Sequence, residues 1–278
     1  MHADAVFSIG RTHKICQDYA AVGDPESPLV VLSDGCSSSL YTDVGSRLLV
    51  ISTLQDCTAG GLRIINKASH MAEAAGLPKG CLDATLLYAY EERGMVRVLA
   101  YGDGVVSLRR KATGKIETWS IDYGNKMEGS ADFGSEVPAY LSYLLSASRS
   151  KAYLSRGNGR RIITRYVDGQ EVEKSEEMPS PEEAFDKPFT LLLDPAHIEL
   201  VCLFSDGVRS FARDLETGGI EPVSMHEVIS HLMAIRSPNG EFMTRRHKMF
   251  LTRHCAKEHW HHHDDLSIGA IWCGEEST

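Results

Sequence analysis

Leu29-Val-Val-Leu-Ser-Asp34-Gly35 sets a pattern that recurs along this chain: an apolar, strand-like run that ends on an aspartate. Leu200-Val-Cys-Leu-Phe-Ser-Asp206-Gly207 repeats it, and Val96-Arg-Val-Leu-Ala-Tyr-Gly-Asp103-Gly104 repeats it again with one glycine inserted. Asp264, followed by Asp265, instead opens the run Leu266-Ser-Ile-Gly-Ala-Ile-Trp272. A carboxylate at a strand end is poor core material, because burying an ionised group is costly unless it is paired or binds a metal. If neighbouring strands run antiparallel, three C-terminal ends and one N-terminal start meet at one sheet edge. That edge then gathers several like charges, with no nearby basic residue in these motifs to offset them. A divalent cation is the simplest thing that would make such a cluster favourable.

Bulk properties narrow the field. The 278 residues, 42% hydrophobic and 24% charged, fit an ordinary globular chain. A formal net charge of −9 argues against general nucleic-acid binding, whose footprint is a basic face. Seven scattered cysteines with no C-x-x-C pair indicate neither a zinc knuckle nor a disulfide scaffold, and reduced cytosolic thiols are expected. The start, Met-His-Ala-Asp, lacks a signal-peptide pattern, and no apolar run approaches the ~20 residues that cross a bilayer. A cytoplasmic location without membrane contact is the expectation.

Without repeats or low-complexity linkers, one domain over 1–278 is expected. Residues 5 to 8 and 29 to 33 read as strands. Val44, Leu48, Ile51 and Leu54 recur at helical spacing from Asp43 to Thr58, with Asp43 as cap. A second helix covers Leu62 to Ala75, with Ile65, Ala68, Met71, Ala72 and Ala75 inward and Gly76 as its stop. Three strands follow, Thr85 to Tyr90, Met95 to Tyr101 and Val105 to Arg110, with Glu92-Arg93-Gly94 and Gly102-Asp103-Gly104 as tight turns. Residues 111 to about 190 look less regular, with a helix over Pro138 to Ala147, a basic, solvated hairpin at Arg156 to Arg165, and an acidic stretch from Glu171 to Glu183. This stretch, about 120–190, is expected to be a mobile flap that chooses the substrate. Helices at His226 to Ile235 and Thr244 to His259 and a last strand ending at Trp272 complete the order. Helices and strands do not alternate strictly, so antiparallel sheets covered by helix pairs fit better than a doubly wound sheet.

The motifs Cys16-Gln17-Asp18, Ser33-Asp34-Gly35 with Asp43 and Gly45, Ala84-Thr85, Gly102-Asp103-Gly104, Ser205-Asp206-Gly207 and Asp264-Asp265-Leu266-Ser267 occur in an order that resembles the bacterial metal-dependent type 2C (PPM-type) serine/threonine protein phosphatases. Each motif alone is weak, since Asp-Gly usually marks a turn; together they span about Ile9 to Ile271. The resemblance implies an α+β, four-layer αββα sandwich of two antiparallel sheets flanked by helix pairs. It implies two Mn²⁺ or Mg²⁺ ions, bridged by Asp34, with the Gly35 carbonyl on one and Asp206 and Asp264 on the other. Asp103, with Asp206, matches a third, weaker metal position. Asp18 would orient water, and hydrolysis of phosphoserine or phosphothreonine would proceed by direct attack of a metal-bridged water. The implied partner is a phosphorylated protein, a bacterial kinase or its target.

The sequence departs from the family at three places. Cys36 stands where many members carry a histidine general acid, and Gln17 replaces a glutamate. The phosphate-binding arginine position is His13, with Arg11 two residues earlier, so either could bind phosphate. Blander roles compete: Asp103 as a hairpin turn former, Cys36 as a small core thiol, and His259 to His263 as an exposed cluster at a helix end. At the level of function, the alternatives are a pseudophosphatase that only binds phosphoprotein and an esterase for small phosphate monoesters.

Overall fold

The run Leu29–Ser33 is buried along its whole length, so it needs apolar cover on both faces, and the architecture follows from that need. The computed structural model describes residues 1–124, 137–156, 159–180, 183–215 and 219–274. Its strands are β1 (His2–Ser8), β2 (Tyr19–Val22), β3 (Leu29–Ser33), β4 (Leu86–Glu92), β5 (Met95–Tyr101), β6 (Gly104–Arg110), β7 (Ile116–Tyr123), β8 (Arg161–Val167), β9 (Gln170–Glu177), β10 (Phe189–Leu193), β11 (Ile198–Phe204), β12 (Phe211–Asp214), β13 (Ile220–Pro222), β14 (Trp260–His262) and β15 (Leu266–Trp272). The helices are α1 (Thr42–Gln55), α2 (Gly61–Ala74), α3 (Ala147–Ser155), α4 (Met225–Met233) and α5 (Phe242–Met249).

Seven strands form one antiparallel sheet in the order β1-β15-β11-β6-β7-β8-β9, and five form a second in the order β10-β5-β4-β3-β2. A small sheet, β13-β12-β14, stands apart. Alternate residues of a strand point to opposite faces. Val30 and Leu32 of β3 therefore join Leu87, Val98, Val106, Val201 and Ile271 in a core between the two sheets. Leu29 and Val31 face the other way, onto Leu49 and Val50 of α1 and Ile64, Ile65 and Ala68 of α2. On the far side, Leu200, Cys202 and Phe204 of β11 and Ile268, Ala270 and Trp272 of β15 pack on Val228 and Leu232 of α4 and Phe242 and Met243 of α5. Each such buried Leu, Val, Ile or Phe contributes roughly 1.5–3 kcal/mol. The result is the expected αββα sandwich.

Several expectations need correction. Asp43 is not the cap of α1: Tyr41 is, at φ 60° and without a side-chain cap bond, and Asp43 sits in the first turn. In α2, Ile65, Ala68 and Ala72 are buried, but Met71 is half-buried and Ala75 exposed. Gly102-Asp103-Gly104 is not a hairpin, because β5 and β6 belong to different sheets and this turn crosses between them. Residues 111–190 are more regular than expected: β7, β8 and β9 extend the larger sheet and β10 edges the smaller one. The helix expected over Pro138 to Ala147 is a 3₁₀ turn at Leu141–Leu145 followed by α3. Arg156 to Arg165 is not simply a solvated face, since Arg161 is only 3% exposed and pairs with Glu177. The basic residues in and just before β8 pair with acids of both flanking strands, Arg160 with Glu176 and Arg165 with Glu173 of β9, and Arg165 also with Glu117 of β7. Of the expected flap, residues 125–136, 157–158 and 181–182 lie outside the described residues. The histidine tract is exposed at a helix end only at His259, which caps the helical turn Ala256–Glu258; Trp260 is buried and His261, His262 and His263 are half-buried.

Candidate active site

Antiparallel pairing brings the ends of β3, β5 and β11 and the start of β15 to one end of the sandwich, spread over both sheets. Asp34 leaves β3 with its carbonyl accepting from the Thr85 N–H at 2.8 Å and its own N–H reaching Thr85 Oγ1 at 3.2 Å. Gly35 has no room for a side chain: a Cβ there would lie 2.8 Å from Thr42 Cβ. Gly104, at φ 142°, supplies a backbone that other residues rarely adopt and lets β6 leave the Asp103 turn against Phe204. Asp206 opens a 3₁₀ turn, Asp206–Arg209, directly after β11. The Asp264 N–H donates to Ser210 Oγ at 3.1 Å, which joins that turn to the start of β15.

A pocket of about 160 Å³ has Asp34, Asp103, Asp206, Asp264 and His13 in its lining, together with Gly35, Cys36, Ser37, Thr85, Pro138 and Tyr140, the last of which lies beside Cys36. Two larger cavities, about 310 and 300 Å³, lie elsewhere, one around Trp119 and Arg161 and one around His226. Size does not single out the 160 Å³ pocket; its charge does. Asp34 is held well above the ordinary carboxylate range, by burial first, then by the charges of Asp18 and Asp206 and a hydrogen bond with Asp206. Burial and the Asp206 charge push Asp103 up to about 8, against the pull of Arg209. Asp264 is raised by burial and by Asp206. Asp18, only 1% exposed, is pushed up to about 7 by burial, which Ser205, Asp34 and Ser267 offset only in part. Neither Asp18 oxygen makes a well-formed hydrogen bond, and Asp206 Oδ1 is likewise buried without a partner. Oxygens left in that state are costly unless something else satisfies them.

His13 Nε2 lies 3.3 Å from Asp264 Oδ1, and Nδ1 lies 3.1 Å from Asp265 Oδ2, though poorly aimed for a hydrogen bond. Burial lowers its pKa, but the Asp265, Asp264 and Asp18 carboxylates outweigh that and raise it above the ordinary value. Arg11 is not in the pocket lining; its exposed guanidinium pairs with Asp214 at 3.4 Å. Cys36, half-buried, lines the pocket and is no core thiol.

Four further residues shape the site. Asp265, 2% exposed, accepts from the N–H groups of Gly10 at 2.7 Å and Gln17 at 2.6 Å, and so fastens the loop that carries His13 and Asp18. Arg209 pairs with Asp122 at 2.7 Å and donates to Ser120 Oγ at 2.9 Å beside Asp103. Its place three residues after Asp206, on the same turn, was the available signal. Tyr140, 6% exposed, walls the pocket, and burial and the nearby Cys36 push its phenol upward in pKa. Thr85, 3% exposed, sits beside Asp34 as its motif implied. Among the described residues, no three His, Cys, Asp or Glu side chains are already arranged as the ligand shell of a single ion.

By sequence, no family model and no curated protein matches the chain. Solved structures do. A bacterial serine phosphatase aligns over 100% of both chains with TM-score 0.55 and 12% identity, and a point variant of a bacterial serine phosphatase aligns over 100% of both with TM-score 0.57 and 12% identity. The serine/threonine phosphatase Stp1 from Staphylococcus aureus aligns over 98% of this chain and 95% of its own, with TM-score 0.54 and 12% identity. At such identities the likeness is one of architecture, and the architecture is the PPM-type phosphatase fold of the bacterial serine/threonine phosphatases.

Proposed function

We propose that this chain is a divalent-cation-dependent phosphatase that removes phosphate from serine or threonine of a protein, with a bacterial kinase or its target as the natural substrate. The observation that carries the proposal is the pocket itself: four aspartates line one small space, and one of their oxygens, Asp206 Oδ1, is buried without a partner, as are both oxygens of neighbouring Asp18. Oxygen donors without histidine or cysteine suit hard cations. A ready-made shell of three side chains is not required, because Mg²⁺ keeps several of its waters and needs only one or two carboxylates. Asp34, Asp206, Asp264 and the Gly35 carbonyl would hold two Mn²⁺ or Mg²⁺ ions, and Asp103 with Asp206 a third. Such ions, when bound, polarise a phosphoryl oxygen and acidify water.

The chain's own residues have separable tasks. Asp18, buried beside Asp34 and Asp206 with both oxygens lacking a well-formed hydrogen bond, can orient a water. His13, whose pKa burial lowers but the surrounding carboxylates raise on balance, offers a ring N–H to the phosphate. Geometry favours His13 over Arg11 in that role, since Arg11 is engaged by Asp214 away from the pocket. Pro138 and Tyr140 supply the apolar part of the pocket lining. We assign substrate choice to the stretch that holds them, within about 120–190. A cytoplasmic setting belongs to the same proposal; among the described residues no helix is long and apolar enough to cross a membrane.

The test is turnover of a phosphoserine peptide and of para-nitrophenyl phosphate with Mn²⁺, Mg²⁺ or chelator. Metal-dependent turnover, lost in Asp34→Asn and Asp206→Asn, is expected. Peptide binding without turnover would instead support a pseudophosphatase, and turnover of the small ester alone an esterase.

A further inference from the structure

Asp83 is a buried carboxylate with no place in the proposed chemistry, yet its bonds reach two separate segments of the pocket lining, the Cys36 turn and the stretch around Tyr140. Its Oδ2 accepts from Ser39 Oγ at 2.8 Å, and its backbone carbonyl accepts from the Cys36 N–H, also at 2.8 Å. Both donors belong to the turn that carries Cys36 and Ser37 into the pocket. Its Oδ1 accepts from Ser142 Oγ at 2.5 Å, in the 3₁₀ turn directly after Tyr140. Arg149 of α3 closes the arrangement, with Nη2 at 2.9 and 2.8 Å from the two Asp83 oxygens. The same guanidinium lies 4.8 Å from the ring centroid of Tyr143, and Tyr143 stacks on Tyr140 at 6.0 Å. Tyr153 of α3 fastens the start of the segment by donating from its hydroxyl to the Val137 carbonyl at 2.8 Å.

We propose that Arg149 is a positioning residue that, through Asp83 and Tyr143, clamps the Cys36 turn against the Tyr140 wall and so sets the width of the pocket mouth. The inference rests on the phosphatase reading given above. Arg149 touches none of the carboxylates on the pocket floor, so the clamp acts on which ester enters and not on the floor. The pocket, at about 160 Å³, has room for on the order of five waters. That space fits a phosphoryl group on a slim aliphatic stem, as in phosphoserine or phosphothreonine. An aryl phosphate must leave its flat ring outside the walls and gains little from their spacing. Remote contacts of this kind supply orientation, and a small misplacement of the walls is costly to a substrate that uses them.

Full-length Arg149→Ala, with Mn²⁺, tests the clamp. The ratio of kcat/KM for a phosphoserine peptide to that for para-nitrophenyl phosphate should fall ~10-fold, through the peptide's KM, with the Mn²⁺ activation constant unchanged. Arg149→Lys, which keeps the charge but loses the guanidinium over the Tyr143 ring, should recover part of the ratio. Ser142→Ala, a milder change at the same node, should shift the ratio in the same direction. A second readout needs no activity. Iodoacetamide should alkylate Cys36 several-fold faster in Arg149→Ala, followed peptide by peptide by mass spectrometry, because the Cys36 turn loses its anchor. An unchanged ratio with an unchanged Cys36 rate overturns the clamp, as do equal losses on both substrates with an unchanged Cys36 rate. A wild-type chain that hydrolyses neither substrate defeats the phosphatase reading and not the clamp. The Cys36 rate then decides alone: faster labelling upholds the clamp and equal labelling overturns it.

Discussion

Asp265→Asn should destabilise the protein by about 3 kcal/mol, from the loss of one charge-assisted bond and the orphaning of one buried N–H. The wild-type carboxylate, 2% exposed, receives two backbone donors, Gly10 N–H on Oδ1 and Gln17 N–H on Oδ2. Asparagine is nearly the same size but has one acceptor oxygen and one NH₂. It can keep one of the two bonds, now without charge assistance, while its NH₂ meets the other N–H donor to donor. Bonds to a charged group are worth about 1.5–3 kcal/mol, and a buried donor left alone costs about 1–3 kcal/mol. For a chain of this length each kcal/mol shifts Tm by about 2–4 °C, so a drop of about 6–12 °C is expected. Differential scanning calorimetry in chelator measures it without reference to activity. The loop that carries His13 and Asp18 should loosen as well, with faster amide exchange at Gly10 and Gln17. A Tm within 2 °C of wild type, or unchanged protection at those two amides, would refute the reasoning that Asp265 staples this loop.

Asp34→Asn and Asp206→Asn should abolish metal-dependent turnover yet raise the Tm in chelator, because each removes a charge from a crowded carboxylate group; a lower Tm in both would count against that crowding. The folded pKa values of Asp18 and Asp103, about 7 and about 8, exceed their unfolded values, so their contribution to stability is present at low pH and lost as pH rises. In chelator these two groups should therefore pull urea midpoints down from about pH 4, the unfolded carboxylate value, to about pH 8, where the slope ends, and saturating Mn²⁺ should flatten it; midpoints that rise between about pH 6.5 and 8 in chelator would contradict the assignment. His247 has the opposite sign: burial depresses it to about 4, so stability is present above 6.5 and lost as pH falls toward 4, by about 3 kcal/mol at 1.36 kcal/mol per unit. His247→Gln should show a shallower acid limb in the same titration. His13→Ala should raise KM for phosphopeptide and alter the pH profile near neutrality, whereas Arg11→Ala should leave both nearly unchanged; the reverse pattern would return the phosphate to Arg11.

The strand runs ending in Asp34, Asp103 and Asp206, and the run opening after Asp264, were legible because a carboxylate abutting an apolar stretch is a local anomaly. The helix periods were legible for the same local reason, and so was the tight turn at Arg93-Gly94, where both residues have positive φ. Local signals also misled. Gly102-Asp103-Gly104 has the chemistry of a hairpin turn, and nothing near it says that the next strand belongs to another sheet. The stretch of β8 looked like solvated surface because of its arginines, and the acidic stretch of β9, exposed along most of its length, shows no strand alternation of its own. They form sheet only by pairing, Arg161 against Glu177 and Arg165 against Glu173.

From the sequence alone follow the antiparallel α+β class, the candidate acids and the hard-cation chemistry they favour, since each depends on residue type and on neighbours a few positions away. Tertiary structure alone decided which acids share a pocket, that His13 faces it while Arg11 does not, and that Asp265 grips Gly10 and Gln17 across 255 and 248 residues. It also decided that Asp83, silent in the sequence, joins two segments of the pocket lining. Contacts of that range arise from how two sheets stack and where their ends meet, and no short-range pattern encodes that geometry.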